Sequence, residues 1–168
     1  MSTRWATASP NVFHFLEADV AGLEDLYREI ILDHYKSPRN KGALETPPAR
    51  RAEGFNPLCG DESVVYLLLD GDRVSDVKIG GQGCSISQSS ASMMTTAVKG
   101  KTVVEARHII HAFKSLLGAV EETDHDDDPH PVNLGDLQAL SGVTKFPTRI
   151  KCATLAWNTL SEALDLDA

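Results

Sequence analysis

Residues 62–84 read ESVVYLLLDGDRVSDVKIGGQGC, and this stretch decides the fold. Glu62 to Leu69 is dense in Val, Tyr and Leu, types that suit a pleated, half-buried surface. Asp70-Gly71-Asp72 is a turn signal, and Arg73 to Ile79 returns with apolar Val74, Val77 and Ile79. Two such runs joined through Asp-Gly predict a β-hairpin. A third strand over Arg51 to Phe55 makes the sheet three-stranded and antiparallel. Gly80-Gly81-Gln82-Gly83 ends the hairpin and delivers the chain to Cys84, where a helix to about Val98 begins. Its many Ser and Ala residues predict close packing against a neighbour.

Upstream, Leu23, Leu26, Tyr27, Ile30, Ile31, His34 and Tyr35 recur at helical spacing, predicting a helix over Gly22 to Lys36. Ser37-Pro38 stops it, because the residue before a proline avoids helical dihedrals. Lys41 to about Ala52 reads as a loop. Downstream, Thr102 is a plausible N-cap for a helix to about Leu117 that aligns Val103, Ala106, Ile110, Phe113 and Leu117. A short helix is predicted over Gly135 to Leu140. The last helix starts near Pro147, a residue suited to a first helical turn, and runs to about Leu164. Helices packed on a small antiparallel sheet make the class α+β. The expected organisation is an extension over residues 1–21 and a single domain over 22–168. An acidic insertion is expected at about 118–132.

With 168 residues, 42% of them hydrophobic, the chain can hold a core without staples. A net charge of −8 argues against a sequence-independent nucleic-acid binder and against docking on anionic lipid. No apolar run approaches the roughly 20 residues that span a bilayer. No signal-peptide pattern opens the chain, so the cytoplasm is the expected compartment. Three cysteines are too few for a disulfide framework. They are core residues, metal ligands or reactive thiols.

Cys59 lies in Asn56-Pro57-Leu58-Cys59-Gly60-Asp61, just before a strand. If the chain is extended there, Cys59 and Asp61 point the same way. A thiolate beside a carboxylate repels it unless a cation lies between them. Cys84 opens a helix, where free N–H groups favour a thiolate. Cys152 falls about 120° from the centre of the apolar stripe formed by Ile150, Ala153, Trp157, Leu160 and Leu164. Four donors of these types suit tetrahedral zinc, and also iron. No Cys-x-x-Cys pair is present, so spacing alone leaves three buried structural cysteines as an open alternative.

Three motifs in order carry a resemblance. They are Asp33-His34-Tyr35-Lys36-Ser37-Pro38-Arg39-Asn40-Lys41-Gly42, then Asn56 to Asp61, then Gly81-Gln82-Gly83-Cys84-Ser85-Ile86-Ser87 continued by Ser92-Met93-Met94. Arg149-Ile150-Lys151-Cys152-Ala153 closes the pattern. From about Leu23 to Leu164 the chain resembles the U-type (IscU/NifU-like) iron–sulfur cluster assembly family. One branch of that family builds [2Fe–2S] clusters and carries a histidine before the last cysteine. Here that position is Lys151. The SufU-type branch lacks the histidine and has an insertion before the last motif, as the stretch from about Leu116 to Leu137 suggests.

That resemblance implies a zinc-dependent sulfurtransferase. Cys59, Asp61, Cys84 and Cys152 are the implied zinc ligands, with one ion per chain, and Cys59 the implied sulfur acceptor. The implied partners are a pyridoxal-phosphate cysteine desulfurase of the SufS type and downstream SUF scaffold proteins. The alternative is a scaffold holding iron or a [2Fe–2S] cluster. Three thiolates and a carboxylate outweigh a divalent cation, so Arg149 and Lys151 are candidates to compensate the charge around the site. Arg149 is either within reach of Asp61 or an exposed helix charge.

Other features carry less. His34 lies on an apolar stripe and reads as a packed, hydrogen-bonded residue. His108 and His111 are three apart on one helix, a spacing that more often marks a surface pair than a site. The acidic run from Glu121 to Asp128 lacks the pattern of a calcium loop and reads as a solvated segment. The glycine turn lacks the lysine of a phosphate cradle, and Met93 and Met94 read as packing residues.

Overall fold

A computed structural model describes residues 24–119 and 132–166. The expected extension over 1–21 lies outside the described residues, as does most of the expected insertion, including the acidic run. The predicted sheet is present. Strands β1 (Arg50–Asn56), β2 (Asp61–Asp70) and β3 (Arg73–Gln82) form an antiparallel sheet in the order β1-β2-β3. Asp61, Ser63, Val65 and Leu67 of β2 are buried on one face, while their neighbours Val64, Tyr66 and Leu68 are half-buried on the other. This is the period-two alternation that an antiparallel strand with one covered face requires. β3 runs past the expected end at Ile79. Gly80, Gly81 and Gln82 keep pairing, opposite Val64, Ser63 and Glu62.

The helices are α1 (residues 24–36), α2 (Ser85–Val98), α3 (Val103–Leu116) and α4 (Pro147–Asp165), with a 3-10 helix over Gly135–Lys145 before α4. α4 packs across β1 and β2, α2 packs beside β3, and the two helices pack on each other. The small side chains of α2 permit that approach. Buried Ser90 donates from Oγ to the Ala153 carbonyl of α4 at 2.6 Å and accepts from Trp157 Nε1 at 3.0 Å. Trp157 is fully buried and stacks on Phe113 of α3, ring centroids 4.3 Å apart. Val65, Leu67, Val77, Met93, Met94 and Leu160 complete the centre of the core.

Thr102 caps α3 as expected and forms a full capping box with Glu105. Pro147 stands in the first turn of α4. Two expectations are corrected. The helix expected over Gly135 to Leu140 is a 3-10 helix that continues to Lys145. Of its buried residues Leu137, Ala139, Leu140 and Val143, the three large ones are spaced by three, the period of a 3-10 helix. The apolar stripe of α1 is only partly covered, with Leu26 and Tyr35 exposed. What anchors α1 is His34, buried and bonded from Nδ1 to Ser92 Oγ at 2.8 Å and from Nε2 to Asp136 Oδ2 at 3.5 Å. The carboxylate can only accept, so Nε2 carries the proton and Nδ1 accepts from the Ser92 hydroxyl. Among the described residues, no helix is long and apolar enough to cross a membrane.

Candidate metal centre

The sheet and two helices bring the three cysteines to one end of the molecule. Asp61 is the first residue of β2, directly opposite Asn56, the last residue of β1. Cys59 lies in the connection between them. Cys84 is the N-cap residue of α2, and Cys152 is buried in the second turn of α4.

The β1–β2 connection is a closed turn and not an extended segment. Gly60 N donates to Asn56 O at 2.8 Å, and Leu58 N donates to Asn56 Oδ1 at 3.2 Å. Gly60 has φ of 68°, a left-handed conformation that a side chain disfavours. Cys59 and Asp61 therefore converge by a turn, not by strand alternation.

Asp61 is 1% exposed. Its Oδ1 accepts from Cys84 N at 3.0 Å, and its Oδ2 lies 3.7 Å from Cys84 Sγ. Gly83 permits this approach, because a Cβ there would lie 2.6 Å from Asp61 Oδ1 and 2.5 Å from Ser87 Oγ. The Cys59 and Cys152 sulfurs are 3.1 Å apart. Ligand atoms of Cys59, Asp61 and Cys152 all lie within 4.8 Å of one another. Cys84 stands outside that group and touches it at the same carboxylate.

Cys59, Asp61 and Cys152 offer three donors at a spacing that one ion can bridge, and Cys84 Sγ has to move in from beside Asp61 to complete a tetrahedral set. Zinc–sulfur bonds of about 2.3 Å place neighbouring sulfurs about 3.8 Å apart, so the Cys59 and Cys152 sulfurs need to part by about 0.7 Å. A hollow bordered by Leu58, Thr148 and Arg149 opens onto Cys59, Asp61 and Cys84.

Burial pushes the Cys152 thiol far above its ordinary range, and the neighbouring Cys59 thiol and Asp61 carboxylate push it further. Such a group forms a thiolate only when a cation replaces its proton. Arg149 is held more firmly charged than usual, first by Cys84 and then by Cys152. Of the two alternatives the sequence left open, reach to Asp61 or an exposed helix charge, Arg149 is exposed, and the charges that act on it are those of the cysteine sulfurs. Lys151 is exposed and does not border the hollow.

Exposure differs sharply among the cysteines. Cys59 is exposed, Cys84 half-buried and Cys152 buried. Exposed Phe55, Leu58 and Phe146 give this end an apolar rim. An apolar groove containing Ile31, Ile86, Val143 and Phe146 continues from Cys84 and Arg149.

Asn56 is a site residue that sequence reasoning did not single out. It is buried, and its Nδ2 donates to Cys152 Sγ at 3.7 Å. An asparagine heading a Pro-x-Cys-Gly turn is a signal for a side-chain-capped turn, but the second bond, to Cys152 far along the chain, has no local signature.

Known proteins share this architecture. Residues 26–153 match the NifU-like N terminal domain. The chain is 47% identical over 144 residues to the zinc-dependent sulfurtransferase SufU of Bacillus subtilis, covering 86% of this chain and 92% of that one. It is 40% identical over 146 residues to the iron–sulfur cluster assembly scaffold protein IscU of Streptococcus pyogenes, covering 87% of each. A crystal structure from Fervidobacterium islandicum, described as a candidate assembly scaffold for the SUF system, superposes with a TM-score of 0.68 at 37% identity. It covers 82% of this chain and 95% of that one. Three cysteines and a buried carboxylate at one end of a three-stranded sheet thus occur within a match that spans most of the chain, and the chain belongs to the family of NifU-like N-terminal domains.

Proposed function

We propose that this protein is a zinc-dependent sulfurtransferase that accepts sulfur on Cys59 from the persulfide of a cysteine desulfurase and passes it to iron–sulfur cluster assembly. The observation that carries this reading is the asymmetry of the site. Cys59 is exposed on a turn, whereas Asp61 and Cys152 are buried beneath it. One sulfur can leave while the others stay. The similarity to the Bacillus subtilis sulfurtransferase supports the same choice.

Cys59, Asp61, Cys84 and Cys152 would hold the ion. Zinc bound there supplies a redox-inert cation that keeps thiolates deprotonated. Asp61 fixes Cys84 through the backbone amide and tethers the start of α2 to the start of β2. Arg149 offsets the negative charge of the thiolates and borders the hollow where the donor's persulfide would arrive. The apolar rim of Phe55, Leu58 and Phe146 suits a protein donor more than a free metabolite.

The transfer step balances without an outside oxidant. The Cys59 thiolate attacks the terminal sulfur of the donor's Cys–S–SH. A new S–S bond forms on Cys59, the donor's S–S bond breaks, and the donor cysteine leaves as a thiolate. The hydrogen stays on the transferred sulfur.

The partner in this reading is a pyridoxal-phosphate cysteine desulfurase of the SufS type, and SUF scaffold proteins receive the sulfur. Residues 22–168 act as one domain, one zinc ion is held per chain, and the cytoplasm is the compartment. Cysteine turnover by the desulfurase, measured with reductant and without iron, tests the reading. The zinc-loaded protein should stimulate turnover, and Cys59→Ala should not. Absence of stimulation by a folded, zinc-loaded sample would remove it.

The second reading is a scaffold for a [2Fe–2S] cluster, as the Streptococcus pyogenes relative is named. Three thiols and Asp61 are adequate donors for it. Lys151, where a histidine marks the scaffold branch, stands against it and is exposed away from the site. Anaerobic reconstitution followed by cluster transfer to an apo-acceptor separates the two readings.

A further inference from the structure

We propose that Asn56 is a positioning residue that ties the Cys59 turn to the Cys152 sulfur and sets how readily Cys59 leaves the site. The proposal deepens the reading of Cys59 as sulfur acceptor and rests on it.

Asn56 is 6% exposed and uses three polar atoms on three different partners. Its backbone oxygen accepts from Gly60 N at 2.8 Å, which closes the turn that carries Cys59. Its side-chain Oδ1 accepts from Leu58 N at 3.2 Å. Its Nδ2 donates to Cys152 Sγ at 3.7 Å. The amide orientation follows from the partners. A backbone N–H can only donate, so the oxygen faces Leu58 and the nitrogen faces the sulfur.

Pro57 has no N–H, so Leu58 offers the first amide that the Asn56 side chain can capture. The mobile thiol therefore rides on a turn held at its centre and its end by a single buried residue. The same carboxamide reaches the sulfur that stays. When Cys59 departs, Cys152 loses a sulfur neighbour 3.1 Å away but keeps the Asn56 N–H. A donated hydrogen bond stabilises a thiolate, so Asn56 holds the remaining site together while the turn opens.

The test uses the full chain with Asn56→Asp and Asn56→Ala, each loaded with zinc or, as a spectroscopic substitute, cobalt(II). Asn56→Asp keeps an oxygen for Leu58 N and similar shape but removes the donor to Cys152. Asn56→Ala removes both contacts. Circular dichroism should show both variants folded. In Asn56→Asp the sulfur-to-cobalt charge-transfer band should move to lower energy, since an unbonded thiolate is a better electron donor. In both variants, alkylation of Cys59 in the zinc-loaded protein should speed up by about tenfold. The half-saturating concentration for the desulfurase should change little while the maximal transfer rate falls. Folded variants with an unchanged band and unchanged Cys59 alkylation would overturn the proposal. If band and alkylation respond but wild-type Cys59 accepts no sulfur, the positioning role stands and the sulfurtransferase reading falls. Should Asn56→Ala fail to fold, Asn56→Asp decides alone.

Discussion

The Cys59 and Cys152 sulfurs stand 3.1 Å apart, yet one is exposed and the other fully buried. Contact therefore does not mean equivalence. A reagent from solvent reaches Cys59 first, and Cys152 is screened by α4 and the Cys59 turn. In metal-free protein at neutral pH, iodoacetamide should label Cys59 well before Cys152. Burial of the Cys152 thiol, which disfavours its thiolate, sharpens the contrast. Peptide mapping over a time course checks the order, and equal labelling rates would contradict it.

Asp61 combines two roles that substitution can separate. Asp61→Asn keeps an oxygen for Cys84 N but loses the negative charge, so the variant should fold and retain much less zinc. Asp61→Ala should also lose the Cys84 tether, at a cost of about 1–3 kcal/mol in stability. Metal analysis after gel filtration reads the first effect, and denaturant titration the second.

Removing zinc with a chelator should leave the fold intact. The core around Trp157, Phe113 and Leu67 closes without the site residues, unlike a small metal-dependent finger. Far-UV circular dichroism should be unchanged after chelation, and collapse of the spectrum would contradict the account.

Trp157 links that core to the site. It lies in the same helix as Cys152, stacks on Phe113 and donates to Ser90. Trp157→Ala should cost about 3–5 kcal/mol, as large-to-small changes in a buried aromatic do. A urea titration measures the loss.

His34 predicts a pH dependence. Its pKa is lowered, chiefly by burial and then by the nearby Arg39 charge, against the raising influence of Asp136. The unfolded chain therefore binds a proton more readily than the folded one. The contribution of neutral His34 is complete above its ordinary value of 6.5 and is lost as pH falls from there toward the folded pKa. His34→Gln should show a shallower loss of stability than the wild type between about pH 7 and 5. Parallel curves would contradict this.

Much of this structure is legible in the sequence where one local rule acts alone. The β2–β3 hairpin follows from alternation around Asp70-Gly71-Asp72, and the start of α3 from Thr102 as its N-cap. The 3-10 helix escaped because Leu137 and Leu140 alone do not distinguish two helical periods, and Val143 is needed to settle it. Cys59, Asp61, Cys84 and Cys152 were legible as chemistry and through family resemblance, but their assembly was not. Cys59 meets Asp61 through a turn that depends on Asn56 and Gly60, and meets Cys152 only through the packing of α4 on β1 and β2. Arg149 faces sulfurs for the same reason, since the path of α4 is set by Trp157 in the core and not by its own first turn.

The most direct test of the central claim is to locate the transferred sulfur. Zinc-loaded protein is incubated with a desulfurase and cysteine, free thiols are blocked with an alkylating agent, and peptides are read by mass spectrometry. The account predicts one additional sulfur atom on the peptide carrying Cys59 and none on those carrying Cys84 or Cys152. Sulfur on either of those two, or a desulfurase persulfide that persists untouched beside unmodified Cys59, would contradict it.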